Sequence, residues 1–315
     1  MRIGWRQYIK SKFQRKSSYA AIGVSLSEDT ASFCAITHHQ SQPNIALYHE
    51  VPTIQWQKEL VNWVNKNKIG NALCGVSIGT HAYNVYQVEK PQVPDNELRQ
   101  ALSWPVKEMS SGDNREMTFD YFDSPAQVAG RNNVNVSLVA KEDIDAIITA
   151  TMDAGLQLTT ISVEELTNCE ILPVTEEPVM TLLQRAGEEI QLAIIKSGAL
   201  YFSRSLKGFE NLGSFSIEEL KMGVMDSLTV QLQRSMDYFE GQLRQAPVRK
   251  ILFNIEASNS TAIGQQIADI MRLDVEPFEL DVTSEVGAIS GMNFQCIGAA
   301  LMAFNEQRNA TGSAA

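Results

Sequence analysis

Residues 19–79 read YAAIGVSLSEDTASFCAITHHQSQPNIALYHEVPTIQWQKELVNWVNKNKIGNALCGVSIG, and the fold turns on this stretch. The runs 19–26, 30–37 and 44–51 are short, rich in apolar and β-branched residues and parted by polar turns, which predicts three strands in a meander. Leu60, Val61, Trp63 and Val64 then fall at helical spacing within 56–68, and an apolar run at 72–79 predicts a fourth strand. The resulting β-β-β-α-β order returns from Val179. Runs at 179–183, 190–196 and 199–206 precede a long helix over 217–243, a strand at 250–255 and a helix near 261–271. The long helix carries Leu220, Val224, Leu228, Leu232 and Met236 every four residues, with Ser216 and Glu219 placed as a capping box and Pro247 beyond its end. Two copies of one unit predict a duplicated α/β architecture, two similar lobes facing each other across a cleft.

Between the copies lies a different region. A helix starting at Pro94-Asp95 with Leu98, Ala101 and Leu102 is expected to end near Trp104-Pro105, because a residue before proline avoids the helical region. Strands at 117–122 and 134–140 and a helix at 144–153, stopped by Gly155, complete a small α/β subdomain inserted at about 87–155. The first lobe is thus read as 19–176, resuming at the strand 158–163. The second is read as 177–308, with a last helix from about Asn293 returning to the first lobe, and 309–315 as a flexible tail.

The chain has 315 residues, 44% hydrophobic and 20% charged, which excludes a disordered chain, a collagen-like repeat and a disulfide-dominated mini-protein. Cys34, Cys74, Cys169 and Cys296 are scattered without CxxC spacing and read as free thiols of a reducing compartment. A net charge of −11 argues against nucleic acid as a partner. Six of the 26 basic residues fall in the first 18 positions, leaving 20 against 37 acidic residues in the rest. In that first segment Trp5, Ile9 and Phe13 form an apolar stripe with Tyr8, and Arg2, Arg6 and Lys10 recur every four residues elsewhere. Near an anionic leaflet each basic residue contributes about 1 kcal/mol, an upper bound of roughly 6 for the segment and enough for reversible adsorption to a membrane surface. A solvated basic tail, or a helix docked on the acidic body, is the alternative. The uncharged run 286–305 is interrupted by glycines and amides and reads as a turn feeding a buried helix.

No P-loop, HExxH, GxSxG or EF-hand pattern is present. The adjacent pair His38 and His39 points to opposite faces of a strand and cannot easily share a metal, so no metal site is expected. Glu164-Glu165, Glu176-Glu177 and Glu188-Glu189 read as solvated edges and turns, and Arg234 with Asp237 as an ion pair on one helix face.

Val-Pro-Asp-Asn-Glu-Leu at 93–98, Ala-Leu-Ser-Trp at 101–104, Val-Ala-Lys-Glu at 139–142, Ala-Gly-Leu at 154–156 and Gln-Arg-Ser-Met-Asp-Tyr-Phe at 233–239 occur in an order that resembles the PilM-type proteins of type IV pilus assembly. The resemblance covers about 19–308 and is nearest to the mannose-sensitive haemagglutinin (MSHA) branch of that family. It implies an actin-like (ribonuclease H-like) two-lobed fold, shared with FtsA and the cytoplasmic part of GspL. It also implies a cytoplasmic scaffold at the inner membrane, in contact with other pilus assembly platform proteins. The family holds the N-terminal tail of a bitopic PilN-like partner in a channel between the first lobe and the insertion, for which Tyr83, Tyr86, Trp104 and Phe122 would be anchors. As plain core residues they would need no function.

Actin-like proteins hold Mg·ATP with two Asp-x-Gly turns and a glycine turn beneath the adenosine, where missing Cβ atoms let backbone N–H groups reach phosphates. By that resemblance the first turn follows Gly23 with Ser25 and Ser27 in place of the aspartate and glycine. The second has Gln184 and Ala186 before Gly187, and the third has Ile255 and Glu256. Arg234 and Gly291 complete the expected cleft. Its metal ligand and its glycines are lost, so the expectation is a degenerate nucleotide cleft, without catalysis and with ATP and magnesium disfavoured. An active actin-like ATPase, a sugar-kinase-like enzyme, a nucleotide-switched assembly protein or a filament former is the alternative.

Overall fold

The computed structural model describes residues 17–39, 42–110 and 114–312. The basic first segment, expected to adsorb to a membrane surface through Arg2, Trp5, Arg6, Ile9, Lys10 and Phe13, has these residues outside the described ones.

In chain order the elements are β1 (Ala21–Leu26), β2 (Thr30–His39), β3 (Gln42–Pro52), α1 (Trp56–Lys66), β4 (Leu73–Ile78), β5 (Tyr83–Glu89), α2 (Asp95–Met109), β6 (Met117–Asp123), β7 (Asn133–Ala140), α3 (Lys141–Asp153), β8 (Gln157–Val163) and α4 (Glu164–Glu170). There follow β9 (Val179–Gln184), β10 (Ile190–Lys196), β11 (Ala199–Leu206), α5 (Met225–Asp237), β12 (Lys250–Ile255), α6 (Ser260–Met271), β13 (Asp274–Pro277), β14 (Thr283–Ser284) and α7 (Phe294–Gly312). Three sheets result, ordered β14-β3-β2-β1-β4-β8, β11-β10-β9-β12-β13 and β5-β7-β6. The duplication is explicit in the pairing. β1 runs antiparallel to β2 and parallel to β4, and β9 runs antiparallel to β10 and parallel to β12.

Side-chain alternation along β1 divides its residues between two layers. Ile22, Val24 and Leu26 join Leu60, Trp63, Val64 and Ile147 in the core under α1 and α3. Ala21 joins the layer made by α7, with Ile297 and Ala300. A Cβ on Gly23 would lie 1.9 Å from the Cys296 carbonyl oxygen, and one on Gly75 2.1 Å from that of Ala299. Glycine is needed at both places because the α7 backbone lies directly on the sheet. Among the described residues no helix is long and apolar enough to cross a membrane.

Several boundaries differ from the sequence expectation. α2 runs through Pro105 to Met109, since burial of Leu98, Leu102 and Val106 against the small sheet outweighs the single hydrogen bond that the proline removes. The insertion spans 83–140 rather than 87–155. β5, whose alternating polar residues gave little strand signal, opens it, while α3 puts Ile147 into the first-lobe core. The long second-lobe helix is broken at Met222 and Gly223, where Gly223 takes φ 111°, and Ser216 and Glu219 form both bonds of the capping box. α7 continues through 309–312, where a tail was expected, because each further residue added to an established helix gains a backbone bond.

Candidate functional site

The ends of β1, β4, β8 and β9 meet where the lobes face each other, and two hollows lie there. The smaller, about 40 Å³, is lined by Gln184, Arg185, Glu256, Gly291 and Asn293. The larger, about 800 Å³, runs between the insertion and the second lobe. Glu164 borders both.

The residues expected around a nucleotide are split between the two hollows: Gln184, Glu256 and Gly291 line the smaller, Ser27 and Gly187 the larger. Ser25 is fully buried on the sheet face it shares with Gly23, and its Oγ has no hydrogen-bond partner. Gln184 donates both amide protons from Nε2 at 2.8 Å, to the carbonyls of Glu188 and Phe209, so it pins its own turn. Ile255 belongs to the second-lobe core rather than to the cleft wall. Glu256 brings its own anion: its carboxylate accepts from the Ala186 N–H at 3.3 Å, occupying a backbone donor that a phosphate would need. Arg185 bridges the lobes, 3.2 Å from Glu50 Oε1 on β3 and 3.9 Å from Glu256 Oε2. Glu50 in turn accepts from Tyr48 and Ser32 at 2.6 and 3.0 Å. The hollow beside Gln184 and Glu256 is far smaller than the roughly 300–1,000 Å³ of a small-molecule site, whereas the one beside Ser27 and Gly187, at about 800 Å³, is not. The misfit to Mg·ATP is chemical: Ser25 and Gln184 bring no charge for the metal, and Glu256 sets a carboxylate on the Ala186 N–H. Arg234 lines neither hollow, and its expected ion pair is absent: Asp237 accepts from Gln233, one full helical turn away, at 2.8 Å.

The larger hollow is acidic. Glu28, Glu164, Glu165, Glu188, Glu189 and Glu210 line it, against Arg204 and Lys207. Here the reading of the glutamate pairs as solvated edges is overturned for Glu164-Glu165. β8 runs into the cleft and delivers both at the first turn of α4, where Glu164 is 6% exposed. Its carboxylate accepts no hydrogen bond among the described residues. Burial first, then the Glu188 and Glu165 carboxylates, raises its pKa to about 8, with Arg185 opposing. Glu165 is also raised by burial, but the Tyr83 hydroxyl donates to it at 2.5 Å and offsets part of the rise. Sequence held one partial clue to this pair, two acids immediately after an apolar strand; that the strand ends at a cleft is visible only in the fold.

The four aromatic candidates are not brought together. Tyr83 and Phe122 line the large hollow, Tyr86 packs beneath α2 on the opposite face of the small sheet, and Trp104 projects from α2 with 76% exposure. Period-two alternation separates Tyr83 from Tyr86, a parity that proximity in sequence conceals. A third hollow, about 270 Å³, lies between the insertion and the first lobe. Its walls are β6 and β8, each the outermost strand of its sheet, with Phe119, Phe122, Ile144, Ile161 and Leu166 lining it. Arg99 donates to the Phe119 carbonyl at 2.7 Å and pairs with Asp120 at 3.1 Å, covering part of the free β6 edge.

Two lobes of one topology, closed by a last helix on the first and carrying a small insertion, define an actin-like fold. A solved structure described as a PilM-PilN type IV pilus biogenesis complex matches it with a TM-score of 0.65 at 15% identity, over 92% of this chain and 98% of that one. The cytoplasmic domain of EpsL, an inner-membrane component of the type II secretion system of Vibrio cholerae, matches at 0.49 and 12% identity over 92% and 94%. A protein from Bacteroides thetaiotaomicron with an actin-like ATPase fold matches at 0.48 and 11% over 95% and 98%. No family model and no curated protein matches the sequence.

Proposed function

We propose that this chain is a non-enzymatic scaffold of type IV pilus assembly, of the MSHA type and MshI-like, working at the cytoplasmic face of the inner membrane. It receives the N-terminal tail of a PilN-like bitopic protein, contacts other platform proteins, and touches the anionic leaflet through its basic first segment. The observation that carries the reading is the groove in which two free sheet edges, β6 and β8, face each other across apolar walls. An extended tail finds there both unpaired backbone groups and pockets for alternate side chains. The likeness in fold to the PilM-PilN complex supports the choice of partner. The polar network Glu50–Arg185–Glu256 supports the absence of nucleotide turnover, since it holds the two lobes together where a triphosphate would have to enter.

The test is titration of a synthetic partner tail into the full chain. Thr118→Arg, which fills the groove from β6, is expected to weaken binding at least tenfold, and Trp104→Ala, on the outer face of α2, to leave it unchanged. The opposite ranking of the two variants removes this groove from the proposal. Equal flotation of the full chain and of a chain lacking residues 1–18 on anionic liposomes removes the membrane contact.

A further inference from the structure

The large hollow has walls of an unusual kind. On one side runs β11, the end strand of the second-lobe sheet, contributing the consecutive residues 200–205; on the other runs β5, the end strand of the small sheet, contributing Tyr83, Asn84, Val85 and Gln87. Among the described residues no hydrogen bond reaches the outward backbone groups of either strand. β11 is regularly paired with β10 from Phe202 to Leu206, beyond a bulge at Tyr201. The hollow is therefore a slot between two open sheet edges, and at about 800 Å³ it holds far more than water.

Two polar groups mark it. Glu164 is 6% exposed and its carboxyl makes no hydrogen bond among the described residues. Arg204 on β11 has a buried, unsatisfied Nε–H, although its Nη2 is bound to Gln231 at 2.6 Å. The first, once ionised, calls for a cation, and the second for a carbonyl-like acceptor. An aliphatic polyamine supplies only the first; a polypeptide with basic side chains supplies both, and its main chain matches the open edges. The surplus of carboxylates over Arg204 and Lys207 repels acidic segments.

We propose that the slot between β5 and β11 takes an extended basic segment of a second protein, which adds as a strand to β11 and places a lysine or arginine side chain against Glu164 and Glu165. This slot is distinct from the β6–β8 groove, so the proposal stands or falls independently of the tail assignment.

The probe is a fluorescein-labelled (Lys-Val)₄ peptide, followed by anisotropy with the full chain. Saturable binding is expected, weakened at least tenfold in Glu164→Gln and absent for (Glu-Val)₄. N-methylation of alternate peptide amides in one register abolishes binding and in the other leaves it intact, which a purely electrostatic contact would not do. Affinity rises with pH to about 8, as Glu164 loses its proton among Glu165, Glu188, Arg185 and Tyr83, and levels off above. Equal loss in both N-methylated registers, or indifference to both, overturns strand addition. Full displacement by equimolar spermidine assigns the slot to a polyamine and overturns the peptide. Much tighter binding of a peptide of residues 1–16 makes the occupant part of this same chain and overturns the second protein.

Discussion

Replacing Glu164 with glutamine keeps the shape of the side chain and removes its titration. In the unfolded chain Glu164 ionises near the ordinary 4.5, whereas in the folded protein it holds its proton up to about 8. Between these values the native state binds the extra proton, so stability falls as pH rises through this window and levels off above it. At 1.36 kcal/mol per pK unit the ionisable group costs about 3 kcal/mol at pH 7 and on the order of 5 above pH 8, as upper bounds. The glutamine variant is free of this cost. Its urea midpoint is therefore expected to match wild type at pH 4.5 to 5 and to exceed it increasingly toward pH 8.5, where a gain of 2–4 kcal/mol corresponds to about 4–10 °C in Tm. Denaturant titrations of both proteins at half-unit intervals decide the matter. Parallel pH profiles would refute the buried, unpartnered carboxylate.

Gly23→Ala and Gly75→Ala each drive a Cβ into the α7 backbone, and each is expected to cost about 1–3 kcal/mol or more, read from the urea midpoint. Ser25→Asp with Gln184→Asp restores acids at the two positions where actin-like turns carry them. It is expected to bring no Mg·ATP binding in calorimetry and to cost on the order of 3–5 kcal/mol, because Ser25 has no exposure and the new charge has no partner. Arg185→Ala removes partly exposed pairs worth about 1 kcal/mol and mainly loosens the lobes, seen as faster amide exchange at 50–52 and 184–188 with a nearly unchanged midpoint.

The repeated strand-strand-strand-helix pattern was legible because both copies bury one face of each element, which leaves period-two and period-3.6 signals that local sequence carries directly. Capping at Ser216 was legible for the same reason. Less of the candidate site could be read. Tyr83, Tyr86, Trp104 and Phe122 lie close in sequence yet point into three environments, since strand parity and the continuation of α2 through Pro105 decide where each goes. Gly23 and Ser25 were read as remnants of a phosphate turn, but their place in the fold is set by the approach of α7, which arrives more than 270 residues later. Glu164-Glu165 resembles any surface pair of acids until β8 is known to end inside a cleft, and nothing local in sequence reports that. Both slots depend on which strands are outermost, a property of sheet order rather than of any one strand.

On the proposed reading, an actin-like body binds no nucleotide and works through its grooves. Isothermal titration of the full chain with Mg·ATP tests it most directly. The expected result is no saturable heat up to millimolar nucleotide; a one-site isotherm with a micromolar Kd would contradict it.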